Sequence, residues 1–415
     1  MKLEWGELDV GARRLDFRLA LNHDASQFTS GASMATLAAD DEPKIHRGLK
    51  DVYFERSATT FIDGRAGELC YRGYSIHELA HNSTFEETAF LLLHGELPKR
   101  AELDPFDRAI KEARQLPAPI FDIIAATRTA HPMDVLRTAV SALATFDPEV
   151  ADNTRAATIR KGIRLTSQVP MIVAAHHRIR HGSATVAPDL SLGHAANFLW
   201  MIKAEKPSAE AAKLVDRDLL LHAEHGSNAS SFTARVVIST GAHVHAAVTA
   251  AIAALSGPAH GGAAEDVMRM AQEIGDAANV SGYVKKKRAA KEAIMGFGHR
   301  VYRAEDPRAC HMREGVARLS KEMGEPKWYE ILEALVQEMA PYARHGVNVN
   351  VDFYSGVIYH LLGIPNDLFV PLFAIGRVPG WIVQILEQQE NNILIRPLTR
   401  YSGPAARDYV PIERR

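Results

Sequence analysis

The sequence is short of cysteine. Only Cys70 and Cys310 occur in 415 residues, so neither a disulfide framework nor a zinc ribbon can form, which fits a reducing compartment. An excess of one charge is also missing. Forty-eight Lys and Arg stand against 50 Asp and Glu, a formal net charge of −2. That balance gives no global field for nucleic acid or an anionic membrane, so any anion site must be local. No apolar run approaches the roughly 20 residues of a membrane span. Residues 246–255 (A-A-V-T-A-A-I-A-A-L) come nearest and are too short. The first 40 residues carry Glu4, Glu7, Asp9, Asp16 and Asp24 and no apolar signal core, which argues against a secretory or transit peptide. A cytoplasmic enzyme is the expectation, with a cytoplasmic binding protein as the bland competitor.

What is present is globular: 47% hydrophobic and 24% charged residues, long enough for two large cores. Helical spacing dominates. Leu136, Val140 and Leu143 form a stripe behind Pro132, and Val215, Leu219 and His222 another after Ser208, a suitable cap. Val244 to Leu255, Val267 to Ile274 and Met312 to Leu319 repeat the pattern. Strand signals are few: the alternation Leu15, Phe17, Leu19, Leu21, and two β-prone segments either side of Asp63-Gly64. The fold class is therefore mostly α, with minor β structure towards the N-terminus. Residues 22–44 read as a small, polar linker. The stretch from Arg400 to Arg415 is too rich in proline and charge for helix.

Four loops gather the chemistry. In S-G-P-A-H-G-G-A (256–263), His260 precedes a helix N-terminus, whose positive end disfavours protonation. A neutral His260 could donate a hydrogen bond to a carbonyl, although alone it reads as a histidine in a tight turn. In G-F-G-H-R-V-Y-R-A-E-D-P-R-A (296–309), two glycines precede His299, Arg303 and Arg308, as a phosphate or carboxylate site requires. It matches neither G-x-G-x-x-G nor the P-loop. Asp306-Pro307 looks like a helix start, which would put Arg308 at the positive end of the dipole at a cost of roughly 0.3–1 kcal/mol. A ligand anion would offset that. In V-N-V-N-V-D-F-Y-S-G (347–356), Asp352 reads as an N-cap, or as a general base on a fixed helix end. In L-H-A-E-H-G-S-N-A-S (221–230), His222 and His225 are placed on one helix face, but no third ligand at suitable spacing and no H-E-x-x-H accompany them there. No metal is expected.

Together these loops resemble the catalytic segments of the citrate synthase family, in order and spacing. Further similarity covers I-D-G-R-A-G-E-L-C-Y-R-G-Y (62–74), H-P-M-D-V-L-R-T-A-V-S-A-L (131–143), the His222–Ser230 segment, G-R at 376–377 and I-R-P at 395–397. The resemblance runs from about residue 45 to the C-terminus. It implies a two-domain helical homodimer: an extension and linker over 1–44, a large helical domain over 45–257 with 366–415, and a small inserted domain over 258–365. It further implies that His260, His299 and Asp352 are catalytic, and that His225, Arg308 and Arg377 bind oxaloacetate with Arg396 of the other subunit. Arg303 and the Gly296, Phe297, Gly298 backbone would contact CoA. The implied reaction condenses acetyl-CoA with oxaloacetate and hydrolyses the thioester, with acetyl-CoA as co-substrate and no permanently bound cofactor. Two places depart from the family pattern: Ala264 where Asn is usual, and Glu224-His225-Gly226 for Asp-His-Glu. The alternatives are a 2-methylcitrate synthase using propionyl-CoA, and a non-catalytic paralogue that binds CoA or a dicarboxylate.

Overall fold

The structure, a computed structural model, describes residues 44–415. The Leu15–Leu21 alternation and the expected extension, up to its last residue, lie outside the described residues. By internal contacts the chain divides into Met1–Phe54 with Leu398–Arg415, and Glu55–Pro397. In the first unit the described backbone is irregular, with 3-10 turns at Arg47–Leu49 and Ile412–Arg414, and Tyr53, Leu398 and Tyr409 are exposed.

The second unit opens with a small antiparallel sheet of β1 (Thr60–Asp63), β2 (Glu68–Tyr71) and β3 (Tyr74–Ser75), in register Asp63↔Glu68 and Tyr71↔Tyr74. The Asp63-Gly64 turn lies where the sequence places it. Its geometry is fixed by the Asp63 carboxylate, which accepts from the Arg65 and Ala66 amides at 2.8 and 2.9 Å.

Everything else regular is helical. The helices are α1 (Ile76–Asn82), α2 (Phe85–His94), α3 (Arg100–Glu112), α4 (Ala118–Ala126), α5 (Pro132–Leu143) and α6 (Arg155–Arg180). They continue as α7 (His194–Lys203), α8 (Ala209–His222), α9 (Ala229–Ser239), α10 (Val244–Leu255) and α11 (Ala263–Ile274). Last come α12 (Val280–Ala289), α13 (Cys310–Glu322), α14 (Lys327–Met339), α15 (Asp352–Leu361) and α16 (Phe369–Glu390). Each apolar stripe named above falls inside one of these helices. Ser208 caps α8 by accepting from the Ala211 amide at 3.2 Å.

α16 corrects one expectation. Arg377, Gln384 and Pro379 interrupt its apolar run in the sequence, yet it is long and apolar enough to cross a membrane, with mean hydropathy 1.6 in its best window. That window is 94% buried inside the fold, so its hydrophobicity is spent on the core. α16 packs against α6, α8, α9 and α10. A Cβ at Gly380 would overlap the Ala223 carbonyl. Only glycine allows that approach, which lays the Arg377 turn against the end of α8.

Candidate active site

Two segments distant in sequence build the floor of the site. Phe297 forms a β-bridge with Val349; the Gly298 amide donates to the Asn348 carbonyl at 2.7 Å, and the Asn350 amide to that of Gly296 at 3.0 Å. Gly296 (φ +78°) is packed so closely that a Cβ would lie 2.5 Å from Phe353 Cδ2. This pairing carries His299 to the start of α15, where Asp352 stands.

Asp352 is the first residue of α15, and no side chain caps that helix. The N-cap reading therefore fails. The carboxylate instead faces His222, with Oδ1 4.0 Å from Nε2. His222 ends α8, its Nδ1 hydrogen-bonded to the Asp218 carbonyl at 2.9 Å. Asp218 is buried and accepts from the Ser355 hydroxyl at 2.6 Å and from Tyr359. Burial raises the Asp352 pKa, while His222 and Arg308 oppose the rise.

The helix stops at His222, so His222 and His225 do not share a face. His225 is buried, with Nε2 3.0 Å from the Tyr302 hydroxyl, and its ring lies edge-on to His299 at 5.3 Å between centroids. Burial, then Arg308, holds His225 well below its ordinary pKa. His299 is lowered to about 4, by burial and then Arg308. Its Nδ1 accepts from the Val301 and Tyr302 amides at 3.0 and 3.2 Å. Backbone N–H groups only donate, so the neutral ring carries its proton on Nε2.

His260 is set the opposite way. Its Nε2 accepts from the Ser230 amide at 3.2 Å and lies 2.9 Å from the Ser230 hydroxyl. Ser230 is itself fixed by Asn228 and by the Trp381 indole N–H at 3.0 Å. Burial, then Arg377, lowers His260 to about 4, so the neutral ring carries its proton on Nδ1. The expected neutrality holds, but its largest cause is burial.

Arg308 is compensated differently from the sequence expectation. α13 begins at Cys310, so Arg308 lies ahead of its first turn. Its guanidinium makes two hydrogen bonds to Asp306, at 2.9 and 2.7 Å, both residues being buried. Asp306 is thus an ion partner, and its carboxylate caps only the turn ahead of α13, accepting from the Arg308 amide at 3.1 Å. It also accepts from the Val351 amide at 3.3 Å, which ties the arginine to the residue before Asp352. Arg377 is buried, donates to the His222 carbonyl and lies over the Phe373 ring at 4.6 Å. Among the described residues it has no carboxylate partner, and burial lowers it to about 10. A buried, unpaired guanidinium is costly unless an anion joins it.

His225, His260, His299, Arg308, Arg377 and Asp352 thus form one electrostatically connected group. Of two other expected residues, one stands apart and one reaches the group from the surface. Arg396 is exposed on the extended chain after α16. Arg303 is exposed, its guanidinium donating to the His299 carbonyl at 3.1 Å. The departures have local roles. Glu224 is buried and accepts from Thr60, the Gly226 amide and Gln384, holding the turn that carries His225. Ala264 is buried, its carbonyl so close to Gly356 of α15 that a Cβ there would overlap it. Ser230, Asp306 and the linking position of His222 were not read from sequence as parts of the site.

The family described as "Citrate synthase, C-terminal domain" matches residues 48–398. Citrate synthase 2 of Bacillus subtilis is 43% identical over 371 residues, covering 89% of this chain and 99% of the relative. 2-Methylcitrate synthase 1 of Corynebacterium glutamicum is 41% identical, covering 90% and 99%. A citrate synthase from the archaeon Thermoplasma acidophilum, solved as a ternary complex with carboxymethyl coenzyme A and oxaloacetate, superposes with a TM-score of 0.85 at 32% identity, covering 90% and 100%.

Proposed function

The chain belongs to the citrate synthase family of acyl-transferring enzymes, and from that premise we propose that it condenses acetyl-CoA with oxaloacetate and releases citrate and CoA. One observation carries the reading. Two neutral imidazoles, each with one nitrogen occupied by a backbone N–H, carry their single proton on the other ring nitrogen, and both belong to the group that includes the half-buried Asp352 carboxylate.

In this reading Asp352 takes a proton from the acetyl methyl group. His260 donates from Nδ1 to the thioester oxygen as charge develops there, the kind of fixed-dipole help an enolate needs. His299 donates from Nε2 to the oxaloacetate keto oxygen, making its carbon the electrophile. The methyl carbon attacks that carbon, the keto oxygen becomes a hydroxyl, and water then cleaves the thioester to free CoA. Arg377, unpaired and buried, takes one substrate carboxylate, and Arg308 with His225 takes the other.

Residues 258–365 form a smaller lobe that closes over the substrates. Arg303 and the Gly296–Gly298 backbone meet CoA. The enzyme works in the cytoplasm as a homodimer without a resident cofactor, and Arg396 serves the partner's site, which its exposure supports. A 2-methylcitrate synthase is the second reading, favoured by the relative of that name. The experiment is CoA release from acetyl-CoA, followed with a thiol reagent. Release that requires oxaloacetate is expected; none in the folded protein would overturn the proposal.

A further inference from the structure

Away from this site, α1 and α13 bring a second set of ligating side chains together. His77 and His81 lie one turn apart on α1, and the intervening residues complete H-E-L-A-H. The H-E-x-x-H spacing missing at 221–230 thus occurs here. From α13, His311 places Nε2 2.8 Å from His77 Nδ1, with ring centroids 4.9 Å apart. Only one proton can occupy the line between those nitrogens. The His81 ring stands edge-on to His311 at 4.8 Å. Its Nδ1 donates to the His77 carbonyl at 2.7 Å, which leaves Nε2 as its free lone pair. That is how metal-ligating histidines are commonly oriented. Cys310 completes the cluster: one ligand atom each from His77, Cys310 and His311 lie within 4.8 Å of one another.

The geometry points to a transition-metal site formed by His77, His311 and Cys310, with solvent open to the fourth position, of the class that binds Zn(II). Two imidazole nitrogens and a thiolate are borderline-soft donors suited to that ion. Nitrogens sharing one tetrahedral Zn(II) stand about 3.3 Å apart, from Zn–N bonds of about 2.05 Å, so the His77–His311 contact need open only slightly. His77 and Cys310 are exposed, which gives an ion a way in, while His311 is buried and fixed. The Cys310 thiol releases its proton to solvent when it binds. None of these residues takes part in the proposed reaction, so the site stands whether or not that function does.

Cobalt(II) tests this directly. The full-length protein, stripped with chelator and freed of it, is titrated with Co(II) while visible absorption is recorded. One Co(II) per chain is expected, with a thiolate-to-cobalt charge-transfer band that Zn(II) displaces. Cys310→Ser should lose the band and Cys70→Ser should keep it. His77→Gln and His311→Gln should each weaken Zn(II) binding at least about tenfold, with circular dichroism confirming that the variants are folded. No thiolate band in the unsubstituted protein, or a band that survives Cys310→Ser, would overturn the assignment.

Discussion

His222 Nε2 stands 4.0 Å from the Asp352 carboxylate, while the opposite nitrogen of the same ring is hydrogen-bonded to the Asp218 carbonyl. The imidazole thus connects a buried, fully satisfied aspartate to the proposed base. It acts through Asp352 and is a positioning residue. His222→Asn should lower kcat on the order of 10²-fold with a smaller change in the KM for oxaloacetate. Because the ring opposes the pKa rise that burial imposes on Asp352, the acid limb of the pH–rate profile should also move to higher pH. A loss of rate with the limb unmoved would reduce His222 to packing.

Asp352→Asn should cut turnover by about 10²–10⁴-fold, the usual share of a general base. Oxaloacetate binding by calorimetry should survive, since the base acts on the acyl group. Stability should move the other way. Burial raises the folded-state pKa above 3.8, so the folded chain holds this proton more firmly than the unfolded chain. Asp352 therefore contributes stability at low pH that is lost as pH rises through its folded pKa. The amide cannot ionise, and the variant should melt higher at neutral pH. Loss of oxaloacetate binding together with activity would mean that Asp352 has been misassigned.

Acid should destabilise the fold through the histidines. His260 and His299 are lowered from 6.5 to about 4. In that interval the unfolded chain binds protons the folded chain refuses, so their contribution is complete above about 6.5 and is lost as pH falls towards 4. Thermal midpoints taken across this window should decline, and less steeply in a His260→Asn, His299→Asn double variant. An unchanged slope would argue against neutral rings in the fold.

Asp306→Ala removes the partner of a buried arginine and should destabilise the protein by roughly 3–5 kcal/mol, measurable by urea unfolding. Saturating oxaloacetate should restore part of the loss by supplying a carboxylate to Arg308. A cost near zero would show that Arg308 finds its compensation elsewhere.

If sites are shared across a dimer, an Arg396→Ala chain mixed with a His260→Ala chain should regain some activity, because one of the two sites in each mixed dimer would be intact. No recovery in verified heterodimers would count against shared sites.

Much of this was legible in the sequence because helices with one buried face advertise it. The stripe ending at Leu255 and the stripe from Val267 bracket His260 correctly. What escaped depends on partners that spacing does not reveal. Asp306-Pro307 has the composition of a helix start, but the carboxylate is engaged by the Arg308 guanidinium and the helix waits until Cys310. Ser230 lies 30 residues from the imidazole it orients. The Gly296–Asn350 pairing joins two short segments too irregular to read as strands. H-E-L-A-H gains its meaning only when α13 brings His311 and Cys310 beside it.

Comparing kcat/KM for CoA release from acetyl-CoA and propionyl-CoA, at saturating oxaloacetate, tests most directly whether an acetyl thioester is the acyl donor. One methylene in an apolar pocket is worth about 1–3 kcal/mol, or roughly 10–200-fold. The prediction is a preference of that size for acetyl-CoA. An equal or higher value for propionyl-CoA would contradict it.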